Sequence, residues 1–157
     1  FLERLEVARA HMERLATATP PAGALTDAEE PSGERWEWGQ VWGHTAEFPA
    51  YWTARVREVF AKPASADPAP FGRSRDDPVR LAAIEDGRGL SADKVIVPLR
   101  ADLDDVRDLL ADMSAADWNR RVEHRVLGEM DMPRVFEVFL VGHLEEHANQ
   151  LEGLLAD

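Results

Sequence analysis

Two histidines four residues apart, His143 and His147, lie in a run whose apolar residues recur with a helical period. Phe136, Leu140, His143, His147, Leu151 and Leu154 follow one another by steps of four, three, four, four and three. On an α-helix such steps put every member on one stripe, and an apolar stripe turns to the core. At i and i+4 both imidazoles project from one face about one turn apart, so both can reach a single ion. His44 holds the matching place in an earlier stripe made of Val41, His44, Phe48, Trp52, Val56 and Val59. Three neutral imidazoles converging from two helices are a usual way to hold a divalent transition metal, and the ligand set suits Zn, Ni, Cu or Fe alike. The competing reading is structural: a buried histidine is also found as a core residue hydrogen-bonded to a neighbour. Two on one apolar stripe would then each need a polar partner inside the core.

Fewer candidates surround this trio. Glu47 follows His44 by three residues and can share its face as a hydrogen-bond acceptor or general base, the alternative being a solvated helix glutamate. Gln150 is placed to orient a histidine N–H, whereas Glu146 and Asn149 flank the ligand face. His11 and His124 read as surface residues, the latter within the polar stretch 121–125. Trp36, Trp38 and Trp42 crowd the entry to the second helix and read as core and staple residues rather than a substrate platform. Arg55, Arg73 and Arg75 are the cations a substrate carboxylate could recruit. Other catalytic patterns are missing: there is no phosphate-cradling glycine loop, dinucleotide fingerprint or nucleophile-elbow serine. The segment 143–147 departs from the His-Glu-x-x-His of zinc proteases, because Glu145 and Glu146 occupy the second and third interior positions.

Four long segments must position these residues. The first, over about residues 2–18, carries Leu5, Ala8, Met12 and Leu15 on one stripe and stops at Pro20 and Pro21. The second spans about 39–61, with Pro49 inside it as an expected kink. The third lies between about 92 and 113, with Pro98 as one possible start, and Ser114 or Asp117 can cap a short turn through Trp118. The fourth runs from an Asp131 cap, with Pro133 just inside, to about 155. A short helix is expected from Pro78 to about Glu85, and the region 121–130 reads as a loop with at most a brief extended piece at 122–127. Amphipathic helices without convincing strands predict an all-α four-helix bundle, a single domain over residues 1–157. The connection over 62–91 is longer than an up-down hairpin needs, so it either crosses over or roofs a pocket.

Composition narrows the function classes. The net charge of −12, from 30 acidic against 18 basic residues, opposes binding to nucleic acid, which depends on neutralising phosphates. No apolar run approaches the roughly 20 residues of a membrane span. Zero cysteines leave no disulfide, thiolate metal site or cysteine nucleophile. The first residues lack the basic and apolar regions of a signal peptide, so the cytoplasm is the expected compartment. Lysine occurs only at Lys62 and Lys94 amid heavy Ala, Asp and Arg usage, which hints at a GC-rich bacterial genome.

The segment Trp38-Gly39-Gln40-Val41-Trp42-Gly43-His44-Thr45-Ala46-Glu47 is similar to the second-helix motif of the DinB/YfiT-like superfamily. Phe139-Leu140-Val141-Gly142-His143-Leu144-Glu145-Glu146-His147-Ala148-Asn149-Gln150-Leu151 resembles that superfamily's fourth-helix motif, a His-x3-His followed by a polar pair. Together with Gly128-Glu129-Met130 before the last helix, the resemblance covers nearly the whole chain. It implies a four-helix bundle, often a homodimer, with Zn, Ni or a similar ion on His44, His143 and His147. It further implies a small-molecule substrate and a low-molecular-weight thiol such as mycothiol or bacillithiol as co-substrate of an S-transferase. The branch containing the mycothiol-dependent maleylpyruvate isomerase usually has Glu where this chain has His143, which separates the chain from that activity. A metal-dependent hydrolase and a non-enzymatic, metal-stabilised interaction module are the alternatives.

Overall fold

Each expected apolar stripe is buried, and the helices it defines set the architecture. The structure, a computed structural model, describes residues 1–29, 32–65 and 67–156. Helix α1 (Leu2–Leu15) buries Leu5, Ala8, Met12 and Leu15. It ends before residue 18, where Thr17 Oγ1 donates 2.8 Å to the Arg14 carbonyl and takes up one of the free acceptors of the last turn. Helix α2 (Trp38–Phe60) buries Val41, His44, Phe48, Trp52, Val56 and Val59 and carries Pro49 inside it. Its start is fixed by Gln40, whose side-chain oxygen accepts from the Glu37 N–H at 3.0 Å.

The connection between the second and third long helices is not a plain loop. It contains strand β1 (Ala69–Phe71) and helix α3 (Pro78–Gly87), the latter capped by Asp77 Oδ1, which accepts from the N–H groups of Val79 and Arg80 at 3.0 and 3.1 Å. Helix α3 lies against α2 at backbone range. A Cβ added at Gly43 would fall 2.3 Å from the Ala83 carbonyl oxygen, and one at Gly39 2.3 Å from that of Gly87. Two glycines four apart on α2 therefore let α3 dock directly beside His44.

Helix α4 (Ala92–Asp112) starts ahead of Pro98, not at it. Ala92, Val95 and Ile96 are all buried, and that apolar contact offsets the one backbone bond a mid-helix proline removes. Helix α5 (Ala115–Trp118) is the expected short turn, with Ser114 and Asp117 forming a reciprocal cap. The stretch after it forms a β-hairpin: β2 (Arg121–His124) pairs antiparallel with β3 (Gly128–Asp131) and parallel with β1, giving a three-stranded sheet in the order β1-β2-β3. The strands are too short for alternation to mark them, but Val122, His124 and Met130 all turn inward.

The fourth long helix is broken. Helix α6 (Met132–Phe139), capped by Asp131, is followed by α7 (Val141–Gly153), and Leu140 between them leaves the helical region at φ −126°, ψ −89°. Gly142 accepts the break because a Cβ there would lie 2.2 Å from the Glu137 carbonyl oxygen. Helices α1, α4, α2 and the α6–α7 rod pack as successive neighbours around the core, with α7 closing against α1. The sheet is joined to the bundle by Trp52, whose ring stacks on Phe139 at 4.1 Å and on Phe71 at 5.4 Å. Among the described residues no helix is long and apolar enough to cross a membrane.

Candidate metal centre

Helices α2 and α7 bring His44, His143 and His147 together with their Nε2 atoms facing one another. His143 Nε2 is 3.2 Å from His44 Nε2 and 3.1 Å from His147 Nε2. One ring nitrogen from each of the three lies within 4.8 Å of the others. His44 and His147 are buried, while His143 is half-buried.

The outer ring nitrogens decide what the inner ones can do. His147 Nδ1 donates to Gln150 Oε1 at 2.8 Å, and His143 Nδ1 donates to Glu146 Oε2 at 3.3 Å. In the neutral form each imidazole thereby places its proton on the outside and turns a bare Nε2 lone pair inward. Those two lone pairs face each other at 3.1 Å, and a proton on His44 Nε2 can satisfy only one of them. The third ring supplies no further donor, since His44 Nδ1 is buried without a partner among the described residues. Three nitrogen donors converging with too few protons between them form a pocket for a positive ion, and a divalent transition metal fits that donor set.

Burial also keeps His44 and His147 neutral. His44 is held well below the usual histidine pKa, first by desolvation and then by the charges His147 and His143 would carry. His147 is lowered in the same way, with burial the largest cause. Glu146 is kept ionised by its hydrogen bond from His143.

A cavity of about 440 Å³ opens onto the trio, which forms part of its wall. Trp36 lies against the histidines, stacked on His147 at 6.0 Å and edge-on to His44 at 5.5 Å. It lines the cavity as well as the core. Trp42 is wholly core, and Trp38 packs on it at 6.2 Å. Phe48 backs the site, with its ring 4.7 Å from His143.

Glu47 does not line the cavity. Its carboxylate is taken up by the buried guanidinium of Arg73, at 2.7 Å to Oε1 and with a second contact to Oε2. Arg73 also reaches Asp77 at 3.4 Å and stacks over Tyr51 at 3.9 Å. Arg73 and Arg75 line the cavity; Arg55 does not, and pairs with Glu58 instead. Asn149 is exposed.

The two remaining histidines depart from the surface positions expected of them. His11 is half-buried, 3.1 Å from Glu152. His124 is buried, with 4% of its surface exposed, because β2 turns it inward against Phe139. Its Nε2 donates to the Arg73 carbonyl at 3.1 Å and its Nδ1 accepts from the N–H groups of Val126 and Leu127 at 3.3 and 3.2 Å. That ring ties the hairpin to the Arg73 loop. The fit is tight: at Gly72, φ +81°, a Cβ would lie 2.7 Å from the His124 ring. One further cavity residue, Arg80 on α3, carried no local signal in the sequence.

The fold is similar to that of YfiT from Bacillus subtilis, described as a probable metal-dependent hydrolase with an unusual four-helix bundle topology. The two structures superpose with a TM-score of 0.72 at 16% identity, over 98% of this chain and 82% of that one. No curated protein matches the chain by sequence. The match that carries identity runs over residues 4–151, and by it the chain belongs to the DinB superfamily.

Proposed function

We propose that His44, His143 and His147 hold one divalent transition metal, Zn or Ni, and that the chain is a metal-dependent thiol S-transferase acting on a small electrophile in the adjoining cavity. The observation that carries this reading is the pair of bare, outwardly anchored lone pairs at 3.1 Å, placed where the cavity reaches them. A bound divalent metal supplies Lewis-acid chemistry, lowering the pKa of a thiol or water that shares its sphere. Gln150 and Glu146 fix the ring orientations of His147 and His143, and Trp36 packs against His147 and His44 as cavity wall. Glu47 acts at one remove, holding the Arg73 guanidinium in the cavity wall. Glu47 and Glu146 are thus committed, to Arg73 and to His143 respectively, and neither is free to serve as general base for water. That arrangement favours a thiol, whose reference pKa of about 8.5 needs only a modest drop to give the nucleophile at neutral pH.

The test is consumption of mycothiol, bacillithiol or glutathione with monochlorobimane, comparing Zn- or Ni-loaded protein with His147→Ala. Metal-dependent turnover with one thiol, absent from the variant, is the expected result; no turnover with any of the three contradicts it. The second reading is a metal-dependent hydrolase, favoured by the likeness to YfiT. It predicts turnover of p-nitrophenyl esters by the metal-loaded protein with no thiol present.

A further inference from the structure

Three arginines line the cavity, and two of them are already neutralised. Arg73 is bound by Glu47 and Asp77, and Arg75 is paired with Glu29. Arg80 differs. Its Nη1 donates only to the Arg75 carbonyl, at 2.9 Å, and among the described residues no carboxylate lies within 4.0 Å of it. The guanidinium sits 5.6 Å over the ring of Trp36, which in turn stacks on His147. Guanidinium, indole and imidazole therefore form one layered wall, with the cation at one end and the metal ligand at the other.

This is an expensive place for a cation. Arg80 is half-buried, and burial is the largest influence lowering its pKa, followed by the positive charge of Arg75; Glu34 acts in the opposite direction without reversing it. It also stands in the first turn of α3, where the helix dipole disfavours positive charge. The indole face beneath it recovers part of that cost. Among the described residues, a guanidinium so placed keeps a planar set of donors turned to the cavity and available to a carboxylate.

We infer that Arg80 is the recognition point for an anionic group of the substrate, so that the histidine cavity takes a small carboxylate with an apolar body. The inference rests on the enzymatic reading of this cavity. Trp52, Val138 and Phe139 supply apolar wall for such a body. Asp27 and Glu34 line the same space and repel a second negative charge, which favours a monoanion over a diacid.

Isothermal titration with 4-phenylbutyrate and its neutral isostere 4-phenylbutanamide tests this. The proteins are the wild type, Arg80→Gln, Arg80→Lys and Arg55→Gln, each metal-loaded and after chelation. The wild type should bind the carboxylate at least about tenfold more tightly than the amide, a typical loss for one charge-assisted contact. Arg80→Gln should erase the preference, Arg80→Lys should keep part of it, and Arg55→Gln, outside the cavity, should keep all of it. The preference should survive chelation. A wild type without the preference, or one whose preference persists in Arg80→Gln, overturns the inference. A preference lost on chelation but untouched by Arg80→Gln assigns the carboxylate to the metal and overturns the role of Arg80 while supporting the metal site. An Arg80-dependent preference in a protein that takes up no metal sustains this inference and removes the metal reading.

Discussion

Two regions of the molecule bury histidine, and they do so in opposite ways. In the β-hairpin, His124 has both ring nitrogens satisfied by backbone: a carbonyl takes its proton and two N–H groups approach its lone pair. In the seam between α2 and α7, Gln150 and Glu146 satisfy only the outer nitrogens of His147 and His143, and the inner lone pairs meet with too few protons between them. Burial is nearly the same, since His124 is 4% exposed and His44 3%. What separates a structural histidine from a ligand is which nitrogen is left over, and in this molecule only the seam leaves any facing another.

The largest effect that sharpens this contrast comes from metal itself. Zn or Ni at about a thousand times its dissociation constant should stabilise the wild type by about 4 kcal/mol. For a chain of this length that is a rise in Tm on the order of 10 °C. Differential scanning fluorimetry with and without metal reads it directly. His147→Ala should show no such rise, whereas His124→Ala should show the full rise from a lower baseline. A metal-induced shift that depends on His124 would break the comparison.

The baseline itself is the second effect. His124→Ala leaves the Val126 and Leu127 N–H groups and the Arg73 carbonyl without their partner, costing about 1–3 kcal/mol in urea denaturation of the metal-free protein. Equal stability of variant and wild type would mean that the hairpin is held by other contacts. The third concerns orientation: Gln150→Ala should weaken metal affinity roughly 10- to 100-fold in a competition titration against a chelator, with the fold unchanged.

A further effect is a pH dependence of the metal-free protein. His44 and His147 have folded pKa values pushed below their unfolded value, mainly by burial. The unfolded chain therefore binds protons that the folded chain refuses. The contribution of these rings to stability is fully present above about pH 6.5 and is lost as pH falls below it. The slope is up to about 1.4 kcal/mol per pH unit for each ring still neutral when folded. Urea midpoints between pH 7 and 5 measure it, and His147→Leu should reduce the slope by one ring's share. A flat profile would mean that these rings charge freely in the folded state.

The seam was legible in the sequence because it is written in a local period. The stripes through His44 and through His143 and His147 need only the helical repeat to be seen, and Gln150 follows from the same spacing. The rest depended on partners far away along the chain. Nothing near Leu140 announces a break, since Pro133 is spent at the start of α6 and Gly142 alone is weak; the break reflects packing against the Glu137 carbonyl. The strands are three or four residues long, too short to show alternation, and His124 sits among charged residues although the hairpin turns it inward. That Arg80 joins Arg73 and Arg75 on the cavity wall is settled by α3 docking on Gly39 and Gly43, a tertiary contact that composition does not reveal. Trp36 falls between the two cases, since it is a core residue by burial and a cavity wall by position.

We propose that the three histidines of the seam, and not the fourth buried one, bind a metal. Elemental analysis of protein purified without a polyhistidine tag, set beside His147→Ala and His124→Ala, tests it most directly. About one transition metal per chain in the wild type and in His124→Ala, with none in His147→Ala, is the result the geometry predicts. No metal in the wild type even after incubation with Zn or Ni, or equal metal in His147→Ala, would contradict it.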